Sequence, residues 1–439
     1  MKPSSPELKE FAKRRARLMK LIGPDDVAIV PAAGEVIRNR DTHYPFRQDS
    51  DFRYLTGFPE PEAIAVIAPK HKNGEFIMFV RPRNKEREIW DGRRAGPEGA
   101  ERHYRANCAY VVDEFEEHLS KLLEGRARVH YNLGEHLELD AKIAARVREI
   151  RELSRRGPAA PHSFVALETS LHELRLIKTP AEITTMQKAC RVSARAHVQA
   201  MRAAQPGKWE WQLAAEIHKI FQDEDMVPGY NSIVGGGDNA CVLHYVENNA
   251  KLRDGDLVLI DAGGEYRGYT ADITRTFPVG GKFSGPQRAV YEVVLAAQKA
   301  ATAEMRVGNS VGKPHEVATR VLTEGMVELG LLEGKPKHLI AKEKHREFYM
   351  HGTGHWLGMD VHDVGSYKQD GEYRLFEAGM VMTVEPGLYI APGSKHVDKK
   401  FWGIGVRIED DVLVTDKGPR VLTSGVPKEV REIEALMRA

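Results

Sequence analysis

Apolar residues recur along this chain at two spacings, and the change from one to the other divides it. Residues 1–22 carry basic and apolar side chains at helical spacing, with Glu7 and Glu10 among the lysines and arginines. They predict an amphipathic helix, and no secretion signal, because the stretch lacks an apolar centre. Runs at 63–68 (AIAVIA) and 75–80 (EFIMFV) are short and apolar, as strands prefer. They alternate with helical patterns, which predicts an α/β domain. Residues 157–161 (GPAAP) form a turn-rich break. Thr179, Pro180 and Glu182 then fit an N-cap, a first helical residue and a capping box, predicting a helix through Ala203. Beyond about residue 176, helical patterns such as 286–307 mix with strand-like runs that carry acids. The expected organisation is two domains, 1–175 and 176–439, each long enough for its own core.

The acids are the unusual part of that second half. The run 257–261 (LVLID) ends in Asp261, and 269–277 (YTADITRTF) contains Asp272. A hairpin turning at Tyr266 and Arg267 would set the two aspartates opposite each other, Cβ atoms about 5 Å apart. Carboxylates that close repel unless a cation or proton lies between them. A salt-bridged pair on a solvated hairpin is the plain alternative. The run 380–387 (MVMTVEPG) leads into Glu385, and 405–414 (GVRIEDDVLV) holds Glu409. Arg407 shares a strand face with Glu409, so a buried ion pair would account for Glu409 alone, though not for the other acids.

Between these runs lies 351–363 (HGTGHWLGMDVHD), with three histidines, two aspartates and three glycines. Imidazoles suit first-row transition metals. Gly352 and Gly354 disfavour a helix, so the pattern predicts a strand-flanked loop presenting imidazoles to a pocket. Histidines satisfied by hydrogen bonds in the core or at the surface are the plain alternative. Four carboxylates and an imidazole make a hard, oxygen-rich set that suits Mn, Co, Fe or Mg better than structural zinc. Four negative charges exceed what one divalent ion neutralises. Two ions about 3.5–4 Å apart would balance them and suit hydrolysis.

Composition narrows the class. The chain has 439 residues, 42% hydrophobic and 29% charged, as in ordinary globular enzymes. A net charge of +1 gives no footprint for nucleic acid or an anionic membrane. The apolar runs are strand-length, short of the ~20 residues of a spanning helix. Cys108, Cys190 and Cys241 are scattered and odd in number, which argues against a disulfide framework and predicts a cytoplasmic protein.

The acid-bearing segments and 351–363 together resemble the catalytic domain of aminopeptidase P, in the prolidase and methionine-aminopeptidase group of pita-bread metallopeptidases. Segments 44–58 (YPFRQDSDFRYLTGF) and 88–94 (EIWDGRR) are similar to the amino-terminal domain of the bacterial enzymes, so the resemblance covers nearly the whole chain. It implies an α/β (α+β) protein, with an amino-terminal aminopeptidase P domain over 1–175 and a pita-bread catalytic domain over 176–439. It implies that Asp261, Asp272, His355, Glu385 and Glu409 bind two divalent metal ions, usually Mn²⁺. It implies a bridging hydroxide nucleophile, with Glu385 moving the water proton. His244, in 242–245 (VLHY), corresponds to a further catalytic histidine, and His351 and His362 to histidines beside the metals or the substrate. Tyr230, in 229–236 (GYNSIVGG), corresponds to a tyrosine lining the pocket for the first side chain. We expect His351, Tyr389 and Arg407 to line the proline pocket, with Arg407 also orienting carboxylates or peptide. Tyr389 is equally readable as an ordinary strand aromatic.

The implied reaction is hydrolysis of the bond between an amino-terminal residue and a following proline, in peptides with proline second. Prolidase, acting on Xaa-Pro dipeptides, shares every ligand and is the alternative. Creatinase-like hydrolases lack the metal carboxylates. A non-catalytic pita-bread binding module, from a different class, would lack an intact ligand set. Family members of this length are homo-oligomers, dimers or tetramers; neither nucleic acid nor membrane is an expected partner.

Overall fold

The computed structural model describes residues 3–153, 155 and 157–438. The chain forms two compact units, one ending at Leu174 and the other beginning at Arg175.

The first unit opens with helix α1 (Ser5–Ile22), whose start is fixed by a capping box between Ser4 and Glu7. Met1 and Lys2, part of the predicted helix, lie outside the described residues. Its sheet has six strands: β1 (Val27–Pro31), β2 (Ile64–Ile67), β3 (Phe76–Val80), β4 (Cys108–Val111), β5 (Arg128–His130) and β6 (Ser163–Val165). Their order is β4-β3-β2-β1-β5-β6. The β1–β2 and β2–β3 pairs are antiparallel; the outer pairs are parallel. Ile29, Val66 and Phe79 of the sheet pack against Phe115 and Leu119 of α2 (Phe115–Leu123) and Ile143 and Val147 of α3 (Leu137–Leu153). This is the α/β layering that alternation implies.

The second unit begins with α4 (Pro180–Ala203), bounded at its start by the predicted capping box: Thr179 Oγ1 accepts from Glu182 N, and Glu182 Oε2 accepts from Thr179 N. The helix predicted at 286–307 is shorter, α5 (Gly285–Ala303), because the chain turns from Glu304 toward Gly308 at φ +85°. Helix α6 (Lys313–Glu328) follows. Strands β7 (Ile233–Gly236), β8 (Leu257–Asp261) and β11 (Thr274–Pro278) form one sheet; β9 (Gly264–Tyr266) and β10 (Tyr269–Thr270) form the hairpin tip between β8 and β11. Farther along, β12 (Val381–Val384), β15 (Asp410–Thr415) and β16 (Gly418–Val421) form a sheet, and β13 (Gly387–Ile390) pairs with β14 (Ile404–Arg407). Among the described residues no helix is long and apolar enough to cross a membrane.

The hairpin register differs from the predicted one. The turn falls at Arg267 and Gly268, both with positive φ (+51° and +83°), and Tyr266 faces Tyr269. Two adjacent left-handed residues make the tight turn that matches strand twist, and glycine suits its second position. Asp261 therefore faces Thr274, and Asp272 lies beside Gly263, one diagonal step away on the same face. A Cβ on Gly263 would sit 1.7 Å from the Ala271 carbonyl oxygen, so only glycine fits there.

Candidate metal centre

Each acid of the site ends or follows a strand. Asp261 closes β8, Asp272 precedes β11, Glu385 follows β12, and Glu409 sits in the break between β14 and β15, outside any strand. His355 lies in the irregular loop 351–363, as predicted, its N–H bonded to Thr383 Oγ1 and its carbonyl accepting from Thr383 N.

The structure brings all five together. Asp272, His355 and Glu409 each offer a donor atom within 4.8 Å of the others'. His355 Nε2 is 3.4 Å from Asp272 Oδ2 and 3.6 Å from Glu385 Oε1. The Tyr230 hydroxyl lies 2.7 Å from Asp261 Oδ1 and 2.5 Å from Asp272 Oδ1, one proton between two carboxylates. Tyr230, predicted to line a substrate pocket, is thus tied by its hydroxyl to the acids.

Arg407 does not pair with Glu409. Its Nη2 donates to Asp261 at 2.6 Å, its Nη1 to the Tyr389 hydroxyl at 3.1 Å and its Nε to Thr274 Oγ1 at 3.0 Å. Thr274 Oγ1 in turn donates to Glu409 Oε2 at 2.7 Å. The predicted shared strand face fails because β14 ends at Arg407. Tyr389 also meets His351 Nε2 at 2.9 Å, so it belongs to the site's hydrogen-bond network. His351 Nδ1 is 4.0 Å from Glu385 Oε2, and the His362 ring stands 4.2 Å from that of His355. His244 is exposed; burial is the main cause that lowers the pKa values of His351 and His362, and His244 adds a smaller lowering to each.

Sequence reasoning missed the supports. Arg275, wholly buried, holds the Glu409 carbonyl at 2.5 Å and Asp410 at 2.7 Å. Asp411 accepts the Asp272 N–H at 3.1 Å, and Thr383 holds His355. Arg275 and Asp411 were visible as charges within strand-like runs; nothing in the sequence marked Thr274 or Thr383.

The electrostatics are those of a site short of positive charge. Burial, then the neighbouring Asp272, Glu385 and Asp261, push the Glu409 carboxyl well above its usual range. Burial also raises Asp261, against the pull of Arg407. Burial lifts Glu385 to about 7, although His355 and Arg407 oppose it. Burial would depress His355, yet its bond to Asp272 and the surrounding carboxylates raise it to about 9. Four oxygen-donor carboxylates and one imidazole, with Arg407 as the fixed cation among them, fit divalent metal ions.

Residues 184–416 match metallopeptidase family M24, and residues 11–131 match the aminopeptidase P amino-terminal domain. The Xaa-Pro aminopeptidase of Escherichia coli (strain K12) is 44% identical over 432 residues, 98% of each chain. A Pseudomonas aeruginosa aminopeptidase structure superposes with a TM-score of 0.96 at 51% identity, covering 98% of both chains. The E. coli aminopeptidase P solved with the inhibitor Pro-Leu gives a TM-score of 0.94 at 44% identity, over 100% of this chain and 99% of that one. The fold and site define a metallopeptidase of the pita-bread class. The chain belongs to family M24 and, within it, to the Xaa-Pro aminopeptidases.

Proposed function

We propose that this chain removes the first residue from peptides whose second residue is proline, with two divalent cations, manganese by preference, held by Asp261, Asp272, His355, Glu385 and Glu409. The observation that carries this reading is the gathering of four carboxylates and one imidazole in a spot short of positive charge. Bound ions would supply the neutralising charge and activate a water, bridging them as hydroxide, for attack at neutral pH. The chain's own groups supply the rest. Glu385 takes the water proton and passes it to the leaving nitrogen, a basic amine that departs poorly unless protonated. His244 donates to the oxyanion as it develops on the scissile carbonyl. Arg407 keeps Asp261 oriented, and Asp261 receives the substrate's free α-amine. Proline offers no N–H, so recognition rests on shape, with its ring set against His351 and Tyr389. The Tyr230 ring flanks the first side chain.

The amino-terminal domain match favours aminopeptidase P over prolidase. The deciding experiment compares Xaa-Pro-Yaa, Xaa-Ala-Yaa and Xaa-Pro with and without added Mn²⁺. We expect Mn²⁺-dependent cleavage of the first alone at high efficiency. Equal cleavage of Xaa-Ala-Yaa would replace this reading by a general aminopeptidase, and cleavage of Xaa-Pro alone by a prolidase. Three free cysteines accord with a reducing cytoplasm. The reading extends to a homo-oligomer, dimer or tetramer, which sedimentation velocity distinguishes.

A further inference from the structure

Behind the loop that carries His351 and His355, three polar side chains meet that the reaction above does not use. Tyr349 and Thr353 are 1% and 3% exposed. His315, in the first turn of α6, reaches them from the surface. Thr353 Oγ1 lies 2.5 Å from the Tyr349 hydroxyl and 2.9 Å from His315 Nδ1. With a neutral imidazole accepting at Nδ1, the protons run one way: Tyr349 donates to Thr353, and Thr353 donates to His315.

The same loop residues touch the site by other atoms. The Thr353 carbonyl accepts the Glu385 N–H at 2.7 Å. The Tyr349 ring stands edge-on to His351, centroids 5.0 Å apart at 76°. A loop that needed only to be packed could use valine and phenylalanine here, with no hydroxyls to satisfy. Burying two hydroxyls is costly unless they are bonded, and His315 is the partner brought from another element.

We propose that His315 is a positioning residue for the peptidase reaction, fixing Glu385 and His351 in their working geometry through Thr353 and Tyr349. The inference rests on the roles given above to those two groups. His315→Ala removes the outer acceptor at an exposed position, and Thr353→Val removes the hydroxyl while keeping its shape. Each is expected to lower kcat about tenfold, with KM and bound metal unchanged. His315→Asn and Thr353→Ser, which keep a polar atom near the same place, should recover part of the loss. The double variant His315→Ala/Thr353→Val should be no worse than the poorer single variant, because both cut one path. Wild-type kcat in either single variant, additive losses, or a loss confined to KM would overturn the inference. Glu385→Gln, measured alongside, separates the two levels. Full turnover in that variant removes the role of Glu385 and this inference with it; an inactive Glu385→Gln beside a fully active Thr353→Val removes the positioning alone.

Discussion

At Asp272 opposite demands meet on one carboxylate. Burial raises its pKa, and the bond and charge of His355, 3.4 Å away, with the Tyr230 hydroxyl and Arg407, together outweigh burial and hold it below its ordinary value. Asp272→Asn keeps the shape and deletes the charge. Bound metal and turnover should both fall by about a hundredfold or more, with the far-ultraviolet circular dichroism unchanged. Wild-type turnover at full metal occupancy would sink the metal assignment. His244 poses a different question, since among the described residues no carboxylate bonds it and it stands exposed beside His351 and His362. An oxyanion donor, the role proposed for it, acts in the transition state, so under that proposal His244→Ala should cost about 3 kcal/mol in kcat, roughly a hundredfold, at unchanged metal content. Loss of a metal equivalent would make it a ligand instead. The acids and His355 were legible one by one because each interrupts or ends a run that otherwise reads as buried or glycine-rich. Their supports were not. Thr274 reaches Glu409 across 135 residues and Asp411 reaches Asp272 across 139, and no local pattern records such a pairing.

Among the elements, close backbone approaches decide where the side chains go. Gly354 lies against β12, and a Cβ there would stand 1.9 Å from the Thr383 carbonyl oxygen. Backbone cannot swing aside as a side chain can, so Gly354→Ala must push the His355 loop away from the strand that precedes Glu385. We expect a destabilisation of about 1–3 kcal/mol together with loss of activity. Thr179→Ala offers the contrast. It removes the cap of α4, a defect of about 1 kcal/mol by urea unfolding, and should leave kcat untouched. Activity lost in Thr179→Ala and kept in Gly354→Ala would reverse this ranking of the two contacts. The cap was legible because its signal is three residues long. The hairpin register was not, because it depends on Arg267 accepting a positive φ beside Gly268, a strain that residue type alone does not announce. The sheet orders likewise pair runs far apart in the chain, such as β12 with β15.

On the scale of the molecule, the second unit closes on itself through one buried ion cluster. Asp363, 1% exposed at its side chain, bonds Arg175 at 2.6 Å and Lys178 at 2.9 Å, partners 188 and 185 residues earlier, at the unit's first residues. Burial alone would raise the Asp363 carboxyl; Lys178 and Arg175 together outweigh it and hold the pKa below 3.8. The folded state therefore binds this proton less readily than the unfolded chain. Its stabilisation is complete above 3.8 and is lost as pH falls from there through the folded value. Asp363→Asn removes the anion and takes from the buried Lys178 ammonium its carboxylate partner, while Arg175 keeps Asp360 at 2.7 Å; the loss should cost about 3–5 kcal/mol at neutral pH. As acid protonates the wild-type carboxyl, the gap between the two proteins should narrow. Trp356, fully buried, accepts the Asp363 N–H at its carbonyl, and four of the five tryptophans, Trp209, Trp211, Trp356 and Trp402, lie in this unit. Urea unfolding followed by tryptophan fluorescence at stepped pH thus reports the cluster directly. A gap between wild type and Asp363→Asn that stayed constant down the acid limb would show that the cluster does not set the acid stability of this unit.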